Sequence, residues 1–204
     1  MDRGQAHTLE AITAAMILVS ALVFALQVTA VTPLTGSTSS QHIENQQAAV
    51  AEGVLATADE NGTLVSTLLY WNESAENGGN WYNATDDGYV RGPPQTEFGD
   101  VLEQTFLERG IAFDLSLYYI ETDDGDDLGE RQRVPIVDLG EPSDHASSVT
   151  RLVTLSDGDP IRGPGESPTG TTLGDASYID GLSDAHSNQS LYAVVEVELV
   201  VWRM

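Results

Sequence analysis

The chain has 204 residues with 32 Asp and Glu against 8 basic residues, all of them Arg, and no Cys. A surface this acidic repels phosphate backbones, which sets nucleic acid aside as a partner, and the absence of Cys removes disulfides, thiolate catalysis and Cys-ligated metal. The length allows one globular domain of ordinary size plus an anchor, and the 41% hydrophobic content is enough for a core.

Acid excess without Lys fits a surface kept hydrated at very high salt. There the screening length falls to about 3 Å, so the carboxylates no longer push the fold apart. This composition is similar to that of haloarchaeal proteins.

From Ala11 to Leu34 no residue is charged and most are apolar. A helix of that length crosses the roughly 30 Å hydrocarbon layer of a bilayer, with Ser and Thr hydroxyls bonding back to its own carbonyls. Pro33 and Gly36 are expected to kink or end it, with a polar hinge over 35–40. Arg3 precedes the span, and 30 acidic residues and 7 Arg follow it. Basic residues favour the cytoplasmic side, so the N-terminus is expected inside and a domain over 41–204 outside. Three processing outcomes stay open: an uncleaved signal anchor, a secretory signal cut after Val28-Thr29-Ala30, and a shorter leader.

The shorter leader rests on the first ten residues, Met-Asp-Arg-Gly-Gln-Ala-His-Thr-Leu-Glu, followed at once by the apolar helix. A charged leader ending in Arg-Gly, with the helix after the cut, resembles the class III signal of type IV pilins and archaellins. The chain as a whole is similar to haloarchaeal pilin-like and pseudopilin-like membrane proteins. The resemblance implies residues 1–4 as leader, a cut between Gly4 and Gln5 by a prepilin-type peptidase, and a retained helix over 5–34. It further implies a function of packing, not catalysis: the helix sits in membrane lipid, then packs against copies of itself or other pilin-like subunits. Glu10 would be the sixth mature residue, where the bacterial pattern has an acid at the fifth. The alternative is a membrane-anchored extracytoplasmic binding domain that never polymerises.

A second helical pattern runs from Gln41 to Ala58, with Ile43, Val50, Val54, Leu55 and Ala58 on its apolar side and Asn61-Gly62 as its stop. Thr63 to Trp71 reads as a strand, and 72–95 as a loop rich in Asn, Gly and Asp. Phe98, Val101, Leu102, Thr105 and Phe106 give a short amphipathic helix ended by a left-handed Gly110. Ile111 to Ile120 alternates with a period of two, placing Ile111, Phe113, Leu115, Leu117 and Tyr119 on one face. Further strands are Arg133 to Leu139, where Pro135 suits an edge, Ser148 to Leu155, and Leu191 to Trp202. Asp157 to Asn188 reads as a surface loop. The expected fold is α+β: an N-terminal transmembrane and stem helix, then an antiparallel β-sheet with one short extra helix.

No catalytic constellation emerges. His7, His42, His145 and His186 have no zinc spacing, and Asp144-His145 and Asp184-x-His186 lack a Gly-x-Ser-x-Gly elbow for a triad. Gly163-Pro164-Gly165 lacks the donors and the Lys of a phosphate loop, so no cofactor is expected. Asp123, Asp124, Asp126 and Asp127 could offer oxygens to Ca²⁺ but lack EF-hand spacing, and they equally build a tight turn. Four of the seven Asn, namely Asn61, Asn72, Asn83 and Asn188, open N-glycosylation sequons, as a cell-surface glycoprotein would.

Overall fold

The structure, a computed structural model, describes residues 2–75, 79–121, 129–182 and 190–204; the side chains of 2–6 and 27–40 lie outside the described set. The described chain divides into two compact units, Met1–Ile43 and Glu44–Met204. The fold is α+β, with an N-terminal apolar helix, a four-stranded antiparallel sheet and a few short helices.

Helix α1 is assigned as one element, Asp2–Glu60. Helical backbone therefore continues through Pro33 and through 35–40, the stretch where the sequence expects a kink or an end and a polar hinge. A proline removes one backbone donor from a helix and crowds one carbonyl, which bends the ladder without having to end it.

Within the C-terminal unit, α1 stops at Asn61-Gly62, with Gly62 at φ 74°. The buried face of this stretch is Gln47, Ala51, Leu55 and Ala58, while Ile43 and Val50 stay exposed. Leu55 and Ala58 face the core as expected and Val54 packs against it half-buried, while Ile43 and Val50 do not, a correction to the face expected to include them. Ala51, Leu55 and Ala58 join the same buried core as the central strands.

Residues 63–68 are helix α2, Thr63–Leu68, and not a strand. Its buried residues are Leu64, Thr67 and Leu68, spaced three and four apart as a helix requires. A short ribbon follows, β1 (Trp71–Asn72) against β2 (Asn80–Trp81). Helix α3, Glu97–Thr105, starts on Thr96, whose hydroxyl accepts from the Gly99 N–H at 3.1 Å. A Cβ at position 99 would run into the Pro94 carbonyl, so only glycine fits there. Gly110, at φ 71°, ends the helical stretch as expected.

The main sheet is built from β3 (Ile111–Ile120), β4 (Arg131–Asp138), β5 (Ser147–Ser156) and β8 (Leu191–Arg203), in the order β4-β3-β8-β5. The two most clearly patterned strands are its centre. Phe113, Leu115 and Leu117 pair with Val201, Leu199 and Val197, and all six are fully buried. Against this face pack Leu55, Leu64, Leu68, Phe98, Leu102 and Phe106. Strand β4 is an edge, as Pro135 suggested. A bulge at Leu115/Ser116 breaks its register, and its outer side is partly taken by Tyr89, which donates to the Ile136 carbonyl and accepts from the Asp138 N–H.

The stretch expected as a surface loop, Asp157 to Asn188, is partly core. It forms a second ribbon, β6 (Pro160–Arg162) with β7 (Pro168–Thr172), and it buries Ile161, Leu173, Tyr178, Ile179 and Leu182. These apolar residues follow no period, so only the folded chain shows that they converge.

Candidate membrane anchor and surface sites

In the N-terminal unit, His7–Leu26 is long and apolar enough to cross a membrane: 20 residues, about 30 Å at 1.5 Å each. Four consecutive residues, Met16, Ile17, Leu18 and Val19, stand 100° apart around the axis and so cover its whole circumference. Each is between 61% and 71% exposed, and none of the window is buried by protein. A helix that is apolar on every side suits a membrane span or a buried position better than open water. The Thr13 hydroxyl donates back to the carbonyls of Leu9 and Glu10 at 3.0 and 2.9 Å, so the helix itself satisfies it. Glu10 lies at the polar end of the window, 3.8 Å from His7. Gly4 and Gln5, the expected leader junction, fall in the helical backbone of α1, with side chains outside the described set.

In the C-terminal unit, the predicted polar sites stand apart from one another. The His145 imidazole lies 2.9 Å from the Glu44 carboxylate, and Ser147 donates to the Glu44 carbonyl at 3.1 Å. This exposed pairing ties the β4–β5 connection to α1 and brings no nucleophile to the imidazole. His42 is an exposed position of α1, and His186 lies outside the described residues, as do Asp123, Asp124, Asp126, Asp127 and Asn188. Among the described residues, no three His, Asp or Glu side chains gather as a metal cage.

Asp86-Asp87-Gly88 and Asp157-Gly158-Asp159 form turns within the stretches expected as loops. Thr85 and Gly88 exchange backbone hydrogen bonds at 3.0 Å, with Gly88 at φ 82°. Asp159 accepts from the Ser156 N–H at 2.8 Å.

The sequence did not single out three features. The first is the sheet face turned away from the core. There Glu198 accepts from the hydroxyls of Tyr118 and Ser148 at 2.8 and 2.6 Å, Glu196 pairs with Arg131 at 3.0 Å, and Arg131 lies 3.8 Å above the Tyr118 ring. Burial, reinforced by the Glu198 carboxylate, holds the Tyr118 hydroxyl above its ordinary pKa.

The second is Glu166, a non-glycine residue at φ 54°. Its carboxylate accepts from Ser66 Oγ at 2.9 Å and from the Glu97 N–H at 2.7 Å, the first residue of α3. A carboxylate at a helix start meets unpaired N–H groups and the positive end of the dipole, which offsets the left-handed backbone. The third is Asp114, on the far face of β3 yet buried. It accepts from the Leu139 N–H at 2.8 Å; burial pushes its pKa up, although that hydrogen bond works the other way.

Compared with known proteins, the chain belongs to DUF7288, a family of unknown function whose model matches residues 3–201. The match takes in both the apolar helix and the C-terminal unit. No curated protein and no solved structure matches the chain.

Proposed function

We propose that the protein is a single-pass membrane protein acting as a pilin-like or pseudopilin-like subunit of a cell-surface assembly, with its N-terminus cytoplasmic and its acidic domain outside. The observation that carries this reading is the apolar circumference of Met16 to Val19, exposed on every side of the helix. Lipid is the first partner such a surface fits. Other helices of the same kind are the second. Ala11, Ala14, Ala15, Ser20, Ala21 and Ala25 are exposed along the window, and small residues let helix backbones approach closely where no hydrophobic effect separates helix from lipid. The work of the protein is then packing: the helix parks in the membrane, the leader is removed, and the helix moves into a bundle of its own kind while the carboxylate-rich domain faces water.

The test is the N-terminus of the native protein. Mass spectrometry of material extracted from membranes is expected to find Gln5 as the first residue, and crosslinkers placed in the window should join copies through their helices. An intact N-terminus with no helix-to-helix crosslinks would replace this reading with the monomeric tethered binding domain. A polypeptide beginning after Ala30, washing off as soluble protein, would remove both.

A further inference from the structure

Three sequons lie in described residues, and they differ in what they show to solvent. Asn61 is exposed, but Thr63 is half-buried at the start of α2 and donates to the Ala58 carbonyl. Asn72 is half-buried in β1, its Oδ1 accepting from the Ser74 N–H at 3.1 Å. Thr85, like Thr63, spends its hydroxyl on a backbone carbonyl, that of Gly88 at 2.8 Å, but of the three only Asn83-Ala84-Thr85 has both the acceptor Asn and the hydroxyl residue exposed.

The surroundings of Asn83 hold it at the tip of a rigid turn. Ala84 N donates to the Trp81 carbonyl at 3.1 Å, leaving Asn83 third in the turn at φ 63°, a conformation that Asn tolerates better than most residues. The Tyr89 hydroxyl donates to the Tyr82 carbonyl at 2.6 Å, and Tyr89 is itself clamped to β4. Beside Asn83 opens a cleft of about 530 Å³, walled by Tyr89, Val90, Arg91, Pro93 and Gln95. Val90 is 44% exposed. Such a wall suits a sugar ring, whose C–H face packs on aliphatic carbon while its hydroxyls accept from a guanidinium or pair with a carboxamide.

We propose that Asn83 carries an N-linked glycan and that its first sugar lies in this cleft, against Val90, Arg91 and Gln95. The inference rests on the extracytoplasmic placement above, since the donor is used on that side of the membrane. In the transfer, Asn83 Nδ2 attacks the anomeric carbon of a lipid-phosphate-linked oligosaccharide. The carbon–nitrogen bond forms and the carbon–oxygen bond to phosphate breaks. The lipid phosphate leaves with the electron pair, Nδ2 gives up one proton to base, and nothing is oxidised or reduced.

The experiment is glycopeptide mass spectrometry on full-length protein from native membranes, beside Asn83→Asp, which keeps a residue that tolerates the turn. The wild-type peptide containing Asn83 should carry a glycan mass that the variant lacks. Amide exchange over 90–95 should be about threefold slower in the glycosylated protein than in the variant. Equal exchange with Asn83 occupied would overturn the cleft. An unmodified Asn83 beside a glycan on any other sequon overturns the inference and leaves the outward placement standing. No glycan anywhere, with protease added outside intact cells cutting the domain, likewise overturns the glycan and keeps the placement. No glycan with the domain protected from that protease overturns the placement as well.

Discussion

The Tyr178 hydroxyl donates to the Leu68 carbonyl at 2.7 Å across 110 residues of sequence, and Trp81 Nε1 donates to the same oxygen at 3.2 Å. Leu68 is the last residue of α2, where a carbonyl has no partner within the helix. Two aromatic side chains from distant segments satisfy it instead. Trp71 completes the group, edge-on to Trp81 at 5.2 Å and to Tyr178 at 5.0 Å, with its own Nε1 donating to the Ser177 carbonyl. Burial keeps the Tyr178 hydroxyl protonated, so the donor persists at any ordinary pH.

Replacing Tyr178 with Phe removes one of these two donors and little else. We expect a loss of about 1–2 kcal/mol, the cost of under-satisfying a buried carbonyl, and a melting temperature lower by several degrees. Circular dichroism melts of the full chain in detergent at high salt check it. An unchanged midpoint would mean that Trp81 alone suffices.

Asp114 makes stability fall as pH rises. Its pKa is raised in the folded protein, so between its ordinary value near 4 and the raised one the native state holds a proton that the unfolded chain has released. Stability is fully present below that window and is lost as pH climbs through it. Asn at 114 keeps an oxygen for the Leu139 N–H and carries no charge. D114N should therefore melt higher than the parent at pH 7 and match it below about pH 4. A variant that melts lower at pH 7 would show that Arg133 rewards the charge more than burial penalises it.

Gln47 presents a buried amide nitrogen, Nε2, with no hydrogen-bond partner among the described residues, on the face of α1 that also buries Ala51 and Leu55. Leu at this position removes the unsatisfied donor at similar volume. We expect Q47L to gain about 1 kcal/mol in thermal or denaturant unfolding. A loss instead would reveal that the site is wet.

Arg in place of Ile17 puts a charge at the middle of the apolar window. Its insertion penalty of about 2.5–3.5 kcal/mol should move much of the protein from the carbonate-resistant membrane pellet to the supernatant. Arg in place of Leu152, which is 70% exposed on the outer sheet face of the C-terminal unit, should leave the pellet unchanged. Equal behaviour of the two variants would separate the window from the membrane.

What could be read in the sequence follows from periodicity. Strands β3 and β8 alternate over ten and thirteen residues, and they lie side by side at the centre of the sheet. Thr63 to Trp71 misled because a short apolar run fits either period. Gly62, in a left-handed conformation, restarts the chain as a helix, and Leu64 and Leu68 then share a face. Val50 is the larger side chain, yet Ala51 is the one buried, and the sequence does not say which of two neighbouring apolar residues faces the core. Ile161, Leu173, Tyr178, Ile179 and Leu182 are scattered among Gly, Pro and Asp, and no local rule groups them. The joint exposure of Asn83 and Thr85, which sets this sequon apart from those at Asn61 and Asn72, is likewise a tertiary property, absent from the motif itself.

The β4 border has a further consequence. Tyr89 already occupies the ladder beside Ile136 and Asp138, and Pro135 brings no donor to offer a newcomer. A neighbouring molecule therefore finds no open template on that flank, however crowded the surroundings. Edge-to-edge addition of a strand is hindered where Tyr89 and Pro135 sit, so an orderly array of these molecules is better organised through other surfaces.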